Sequence, residues 1–371
     1  MKKLKIFVIV SMFCLSFSGI SRAEDAGDIL KDVKVNGFVS TAYNHNLNDP
    51  DTRMVNYRPF NMNANGFNVD VAELVFQKEA TEESNIGFRT DIMYGYTIPA
   101  AIHSTGVAQS NDFDVQQAYV RYVAPIGSGL TLDMGKFITE MGAEVIEGYD
   151  AWNYNYSRSL LFYYTIPFTH TGLRATYKFN DMATVMGQIL NGWDNVVDNN
   201  KAKSYCAHLI LTPIENTMLN LKYMSGPEQN NNESNIRSVA NANLTVTLLE
   251  KLTLNFDYVN GSEQKDPNNV VTANGDSKWS GLAGAIRYAA SDRYAINIRA
   301  ETFSDNDGAR TGVKQEMTEI TITPEFTIKK NLVIRPEYRH DVSDQKVFDK
   351  GSNAASEKGQ DTVAINMFFY F

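Results

Sequence analysis

Cysteine is scarce in this sequence, since Cys14 and Cys206 are the only two among 371 residues. Residues 1–23 have a basic start, a short apolar centre and small residues before a cleavage point, which is the layout of a secretory signal peptide. We therefore predict cleavage between Ala23 and Glu24, which removes Cys14. The exported chain would keep one cysteine, and this excludes an intramolecular disulfide.

Long apolar runs are missing after residue 23. A transmembrane helix needs about twenty consecutive apolar residues, and no later segment approaches that length. This excludes a helical membrane protein. The sequence is 43% hydrophobic with a mean hydropathy of -0.31, which suits either a soluble exported domain or a transmembrane β-barrel, whose strands alternate apolar and polar residues.

Positive charge and histidine are also in short supply. The chain has 34 Lys and Arg against 43 Asp and Glu, for a net charge of -9, and loss of residues 1–23 removes four positive charges and no negative ones, giving -13. This balance argues against nucleic-acid binding. The 5 histidines are scattered without the spacing of a zinc site, and no nucleophile, base and orienting group converge. We predict no enzymatic activity, no metal and no cofactor.

Alternation of apolar and polar residues is what the sequence has in abundance. In the segment LTLNFDYVNG, from Leu252, leucine and aromatic residues share one face while Thr, Asn and Asp share the other. The segment YAINIRAETF, from Tyr294, repeats the pattern. Such segments have about the ten-residue length with which a tilted strand crosses a bilayer, with lipid outside and water inside. We predict about sixteen strands, starting near Val33, Val69, Asn85, Asp114, Gly129, His170, Met182, Ser204, Thr217, Ile236, Leu252, Lys278, Arg293, Lys314, Leu332 and Gln360.

The links between these segments alternate in length. Short links, such as residues 179–181 and 249–251, alternate with long polar ones such as HNLNDPDTRMVNYRPFNMNANG and SGPEQNNNESN. Outer-membrane barrels have short periplasmic turns and long extracellular loops, whereas a soluble sandwich or propeller has little physical reason to separate them. The sequence therefore predicts an all-β fold, a transmembrane antiparallel up-and-down β-barrel, with residues 24–371 as its single domain.

The chain ends in the aromatic sequence INMFFYF. Val363, Ile365, Met367, Phe369 and Phe371 alternate with other residues, so we expect them to form one outward stripe that ends in an aromatic belt. The last strand must also pair with the first, because no strand edge can stay unpaired in lipid. A terminal aromatic strand resembles the signal recognised by the outer-membrane barrel-assembly machinery, which makes that machinery an expected partner through Phe371.

Four short elements follow one another in the centre of the chain. They are GKF at Gly135–Phe137, NYSRS at Asn155–Ser159, PFTHTGLR at Pro167–Arg174 and NGWD at Asn191–Asp194. In these elements the sequence closely resembles the OmpL-like β-barrel porin family, the second β-barrel porin family. The resemblance implies an outer-membrane channel over essentially the whole mature chain, and it supplies no functional residues.

Residues 138–168 form the third long link, which we predict to fold into the lumen as a constriction loop. Its acidic residues would face arginines on the inward sides of the strands and create a transverse field that orients dipolar solutes. The alternative is that these charges only pair with one another in a hydrated lumen. The candidate constriction residues are Glu140, Glu144, Glu147, Asp150, Arg89, Arg121, Arg174, Arg287, Arg299, Arg335 and Arg339.

The predicted function is that of an outer-membrane porin. A barrel of about sixteen strands encloses a water-filled lumen, which would allow passive diffusion of small hydrophilic solutes, with a mild cation preference if the excess negative charge lies there. The alternative is a surface-exposed binding or structural barrel whose loops block the pore. A Sec-type signal would deliver the protein to the outer membrane of a Gram-negative bacterium, among its lipid and lipopolysaccharide. A homotrimer is left open.

Overall fold

The computed structural model describes residues 32–81, 84–98 and 113–371. The chain divides into two units, Met1–Lys34 and Val35–Phe371, and only residues 32–34 of the first are described. The predicted signal peptide, residues 1–23, therefore lies outside the described residues.

Within the described part of the chain, sixteen antiparallel strands close into a barrel. Neighbours in sequence pair with each other, and the last strand pairs with the first. The predicted fold and strand number are confirmed, and each predicted start lies within three residues of the observed one. The barrel strands are β1 Lys34–Asn46, β2 Gly66–Lys78, β3 Ile86–Tyr94, β4 Phe113–Ala124, β5 Leu130–Ile138, β6 Thr169–Asn180, β7 Ala183–Leu190, β8 Ser204–Ile214, β9 Thr217–Pro227, β10 Ile236–Leu248, β11 Leu252–Glu263, β12 Ser277–Ser291, β13 Tyr294–Asp305, β14 Gln315–Lys329, β15 Leu332–Ser343 and β18 Gly359–Tyr370.

The remaining elements lie in the long links. A hairpin of β16 Phe348–Lys350 and β17 Asn353–Glu357 stands between β15 and β18, and a 3-10 turn spans Pro59–Asn61. The helix α1, Leu160–Tyr164, begins after Ser159, whose hydroxyl accepts a hydrogen bond from the third residue of the helix. These elements are too short to leave a periodic pattern, so the sequence did not predict them. No helix among the described residues is long and apolar enough to cross a membrane.

The two ends of the barrel differ, as the link lengths predicted. Turns such as residues 181–182, 215–216 and 330–331 join strands at one end, whereas long links join them at the other. The longest link whose residues are all described spans residues 139–168 between β5 and β6, and we call it L3.

The two faces of the wall carry different residues. On β13, Tyr294 and Ile298 are exposed on the outside, while the alternate residues Asn297, Arg299 and Glu301 are buried towards the inside. Because successive side chains of a strand point to opposite faces, this alternation places polar and charged groups along the lumen and apolar groups on the outer surface. The predicted orientation of this strand is confirmed.

The C-terminal strand closes the ring. The backbone N–H of Phe371 donates to the Gly37 carbonyl and the Gly37 N–H donates to the Phe371 carbonyl, both at 3.0 Å. A Cβ atom at position 37 would lie 2.6 Å from the tip of the Phe371 ring, so a larger residue there would force that ring to shift. The predicted outward stripe is confirmed, since Ile365 and Phe369 are exposed. An aromatic C-terminal sequence is favourable because the last strand both closes the barrel against β1 and contributes to its outer surface.

A charged side chain on the outer surface should destabilise the barrel most at mid-height. We expect Ile298→Lys to destabilise the folded barrel by about 2–4 kcal/mol, whereas Ser304→Lys, on the same face near the long-link end, costs about 0–1 kcal/mol. The measurement is reversible unfolding by guanidinium in lipid vesicles. Equal losses in both variants would contradict a membrane-facing band centred on Ile298.

Candidate functional site

The link L3 crosses the interior of the barrel. Its backbone and side chains contact inward-facing groups from most of the wall, so it is held from several sides at once. The wall residues that bond to L3 include Glu73 on β2, Arg89 on β3, Arg174 on β6, Lys222 on β9, Asn241 on β10, Asp257 on β11, Trp279 on β12, Glu301 on β13, Thr323 on β14 and Glu337 on β15.

Wall carboxylates hold the backbone of L3. Glu301 accepts hydrogen bonds from the N–H groups of Leu160 at 2.6 Å and Leu161 at 3.1 Å, which are the first residues of α1. Glu337 accepts from the N–H of Tyr156 at 2.7 Å and of Ser157 at 3.0 Å. The side chains of Glu301 and Glu337 therefore each satisfy two buried backbone donors that no strand could pair.

The acidic residues of L3 pair with wall arginines. Asp150 lies 2.5 Å from Arg89, and Glu144 lies 2.5 Å from Arg299. Glu140 forms an ion pair with Arg174. Each of these three acids is thus in direct contact with a cation, and the same holds for the fourth predicted loop acid, Glu147.

Glu147 sits at the most buried of these pairs. It lies 2.9 Å from Arg335 on β15 and 3.0 Å from Arg158 within L3, and both its own side chain and that of Arg335 are buried. Burial alone would raise the pKa of the Glu147 carboxyl, but the two guanidinium groups outweigh it and hold the pKa below its ordinary value. A buried, ionised carboxylate of this kind is a fixed part of the fold.

The loop acids and wall arginines therefore do not face each other across an open gap. A transverse field requires separated charges, but at these four positions the acids and arginines form contact pairs. Pairing of this kind is the alternative arrangement considered from the sequence. The physical reason is burial, because an unpaired charge in the packed interior would be costly and a partner within reach removes that cost.

The other three candidate arginines pair with wall acids. Arg121 donates two hydrogen bonds to Asp133, at 2.7 and 3.0 Å. Arg287 binds Glu325 in the same bidentate way, at 2.7 and 2.8 Å, and its guanidinium lies 4.9 Å from the centre of the Tyr154 ring. The third, Arg339, contacts Asp341 at 2.6 Å and donates to the Arg158 carbonyl of L3 at 2.6 Å.

Aromatic rings cover L3 from the long-link end. Phe60, from the link between β1 and β2, packs against Phe162 at 5.7 Å and Phe168 at 5.6 Å between ring centres. Tyr164 stacks on Phe303 of β13 at 5.5 Å. These apolar contacts fix α1 against the wall, and the dense aromatic run after Ser159 in the sequence is the signal that could have indicated them.

In the described part of the chain, two larger chambers lie beside L3, and both are partly open to solvent. The first, which we call the central chamber, has a volume of about 1000 Å³ and lies between L3 and strands β9–β13. The second, the turn-side chamber, has a volume of about 920 Å³ and reaches the short turns at Asp292 and Lys330. Ala151, Trp152 and Tyr154 line both chambers, so this segment of L3 forms the boundary between them.

Only part of the candidate set borders this space. Glu144 and Arg299 line the central chamber, and Asp150 and Arg287 line the turn-side chamber. Among the described residues, the other seven candidates lie outside both linings: Glu140, Glu147, Arg89, Arg121, Arg174, Arg335 and Arg339. Sequence reasoning missed the neutral wall of the central chamber, because Asn243, Thr245 and Asn255 look like any other inward strand residues.

Three of the four motif elements converge on L3. Within NYSRS, Arg158 binds Glu147, and the backbone of Tyr156 and Ser157 binds Glu337. Asp194, at the end of NGWD, accepts from the backbone N–H of Phe168 at 2.6 Å where L3 rejoins the wall. Arg174, at the end of PFTHTGLR, forms the pair with Glu140. In this chain these three elements therefore help to anchor the loop.

Metal binding has no geometric support in the described part of the chain. No group of three or more His, Cys, Asp or Glu side chains there could hold an ion. The carboxylates that do converge are occupied by arginines and by backbone N–H groups of L3.

A family model matches nearly the whole chain. The model described as Putative beta-barrel porin-2, OmpL-like matches residues 32–371. No curated protein shows a significant match to this sequence.

Solved structures of other barrels share the architecture. An anion-selective porin from Comamonas acidovorans is 8% identical, with a TM-score of 0.62 over 91% of this chain and 99% of that one. The outer membrane channel DcaP of Acinetobacter baumannii is 10% identical, with a TM-score of 0.59 over 91% and 97%. The trimer form of OmpT from Vibrio cholerae is 13% identical, with a TM-score of 0.58 over 91% and 99%. At such identities the likeness shows the fold alone.

The ion pair of Glu147 should make the anchoring of L3 dependent on pH. We expect Glu147→Gln to destabilise the protein by about 3 kcal/mol at pH 7, because Arg335 and Arg158 lose their buried partner. A lowered pKa contributes stability above the ordinary glutamate range that is lost as pH falls through the lowered value. The gap between wild type and variant should therefore shrink in acid.

The measurement is guanidinium unfolding in detergent micelles from pH 7 down to pH 3. Asp181→Asn, in an exposed turn, is the matched carboxylate-to-amide control and should leave stability unchanged. A Glu147→Gln effect that stays constant with pH would contradict the role of the ionised pair.

Proposed function

This chain belongs to the OmpL-like β-barrel porin-2 family and is an outer-membrane porin, and from that premise we propose that small hydrophilic solutes diffuse passively through it. Family and fold favour a channel over an enzyme. The observation that carries the proposal is the pair of chambers beside L3, which are open spaces with polar and charged lining residues on the inner side of a closed barrel. A solute would pass along the β9–β13 side, through the space that remains there between L3 and the wall.

L3, residues 138–168 as delimited from the sequence, is proposed to set the narrowest point of that route. Its segment from Ala151 to Tyr154 separates the two chambers, and its anchors on Glu73, Glu301 and Glu337 keep it from moving aside. Within the candidate set, we assign direct contact with solutes to the four residues that line the chambers, Glu144, Arg299, Asp150 and Arg287. The others support the loop.

A mild preference for cations is the expected selectivity. Five carboxylates line the chambers against three cationic groups, so the lining carries a small excess of acidic groups. The carboxylates are Glu144, Asp150, Asp257, Asp292 and Glu325, and the cationic groups are Arg287, Arg299 and Lys330.

The partners proposed for this porin follow from its surface. The exposed apolar band suits outer-membrane lipid and lipopolysaccharide, and the terminal strand ending at Phe371 suits recognition by the barrel-assembly machinery. A homotrimer is proposed because one of the similar solved barrels is a trimer form.

The alternative function is a binding or structural barrel whose loops block the pore. The observation in its favour is the aromatic cover of Phe60, Phe162 and Phe168, which packs over L3 at the long-link end. A blocked barrel would pass no ions when folded and inserted. A diffusion channel would produce stable ohmic current steps.

Single-channel recording in planar bilayers tests the proposal. We expect ohmic steps, and a reversal potential of cation sign in a salt gradient. Glu144→Gln should move that potential towards anions, because Arg299 loses one of its two carboxylate partners at the chamber wall. Glu233→Gln, on an exposed long link, is the matched control and should leave the potential unchanged.

Folded and inserted protein without conductance would overturn the diffusion channel and favour the blocked barrel. Current steps with equal shifts in both variants would instead refute the assignment of selectivity to the chambers.

A further inference from the structure

The charged groups that border the central chamber are already engaged by the protein. Glu144 binds Arg299 at 2.5 Å with one oxygen and accepts from the Ser159 N–H at 2.7 Å with the other. Asp257 accepts from Asn241 at 2.5 Å and from the Ala143 N–H at 3.3 Å. A charged solute would have to displace one of these bonds to find a counter-charge, so the chamber offers it no ready partner.

Neutral hydrogen-bonding groups on the wall still have unused donor and acceptor positions. Asn255 donates to the Thr245 hydroxyl at 3.0 Å and accepts from Asn243 at 3.0 Å. An amide offers four hydrogen-bonding positions and a hydroxyl three, so both Asn255 and Thr245 can bind further groups. On the opposite side, within the described residues, the Tyr154 hydroxyl has no hydrogen-bond partner.

Two aromatic rings stand at the boundary of the chambers. Trp152 packs against Tyr370 at 4.7 Å and Phe368 at 5.4 Å, and Tyr154 lies under the guanidinium of Arg287 at 4.9 Å. Both rings still line the two chambers. They are held in place by the wall while part of each remains accessible to a solute.

We propose that Trp152 and Tyr154, together with Asn255 and Thr245 across the central chamber, form a subsite for an uncharged polyhydroxylated solute, such as a mono- or disaccharide. This inference rests on the proposed diffusion route. The C–H faces of a sugar ring suit aromatic surfaces, and its hydroxyls suit amide and hydroxyl partners. The contacts are few and uncharged, which keeps binding weak enough for release, as conduction requires.

Sucrose is the probe, and its block of the ion current in planar bilayers is the readout. We expect wild-type current to fall with added sucrose beyond the fall in bulk conductivity and to saturate. Trp152→Ala should raise the half-blocking concentration about two- to tenfold, the range expected for loss of one aromatic contact. Phe326→Ala, on the outer surface, is the matched aromatic control and should leave it unchanged.

A second variant tests whether the effect of Trp152→Ala comes only from a disturbance of L3. Asn255→Ala lies on β11 outside the loop, and it should also weaken the sucrose block, because the subsite loses one of its hydrogen-bonding partners. Arginine and succinate should not saturate the block at the concentrations where sucrose does.

Failure of the diffusion channel and failure of the saccharide subsite would give different results. Absence of current in the wild type would overturn the diffusion channel itself. A conducting wild type that sucrose does not block, or that arginine or succinate blocks more strongly, would overturn the saccharide subsite and leave the channel standing.

Discussion

Backbone hydrogen bonding is the constraint on which this structure depends. In a bilayer no water is available to an unpaired N–H or C=O group, so the sheet must close, and the pairs between Gly37 and Phe371 complete that closure. The same constraint returns inside the barrel, where L3 brings irregular backbone into a packed interior. Glu301 and Glu337 meet it there by accepting from consecutive N–H groups of the loop.

The charges of the lumen follow from that anchoring. Carboxylates placed on the wall to hold the loop, and acids carried by the loop itself, need cations close by, and the wall arginines supply them. Arg299 illustrates the arrangement, since it binds Glu319 of the wall, Glu144 of L3 and the Ser157 carbonyl. The outcome is a lumen that L3 and its ion pairs largely fill, with open space beside β9–β13, where Asn, Thr and Ala side chains line the wall together with Asp257 and Arg299.

Much of the fold could be predicted from the sequence, because it depends on local alternation. The period of two on β13 decides which residues face lipid, and the length of each link decides which end it occupies, so strand starts were placed within three residues. The candidate site was predicted less completely. The acids of L3 and the arginines opposite them were identified, but the lining of the chambers by Trp152, Tyr154 and Asn255 was not, since nothing local marks these residues as facing open space.

The sequence by itself determined the class of protein: alternation without long apolar runs, links of two lengths and an aromatic last strand permit a barrel with a polar interior and an apolar exterior. Only the tertiary structure decided how the interior is divided. Glu147 and Arg335 are 188 residues apart in the chain and 2.9 Å apart in space. Such pairings depend on how far L3 reaches across the lumen, which no local pattern specifies, because the loop is positioned by many distant wall contacts acting together.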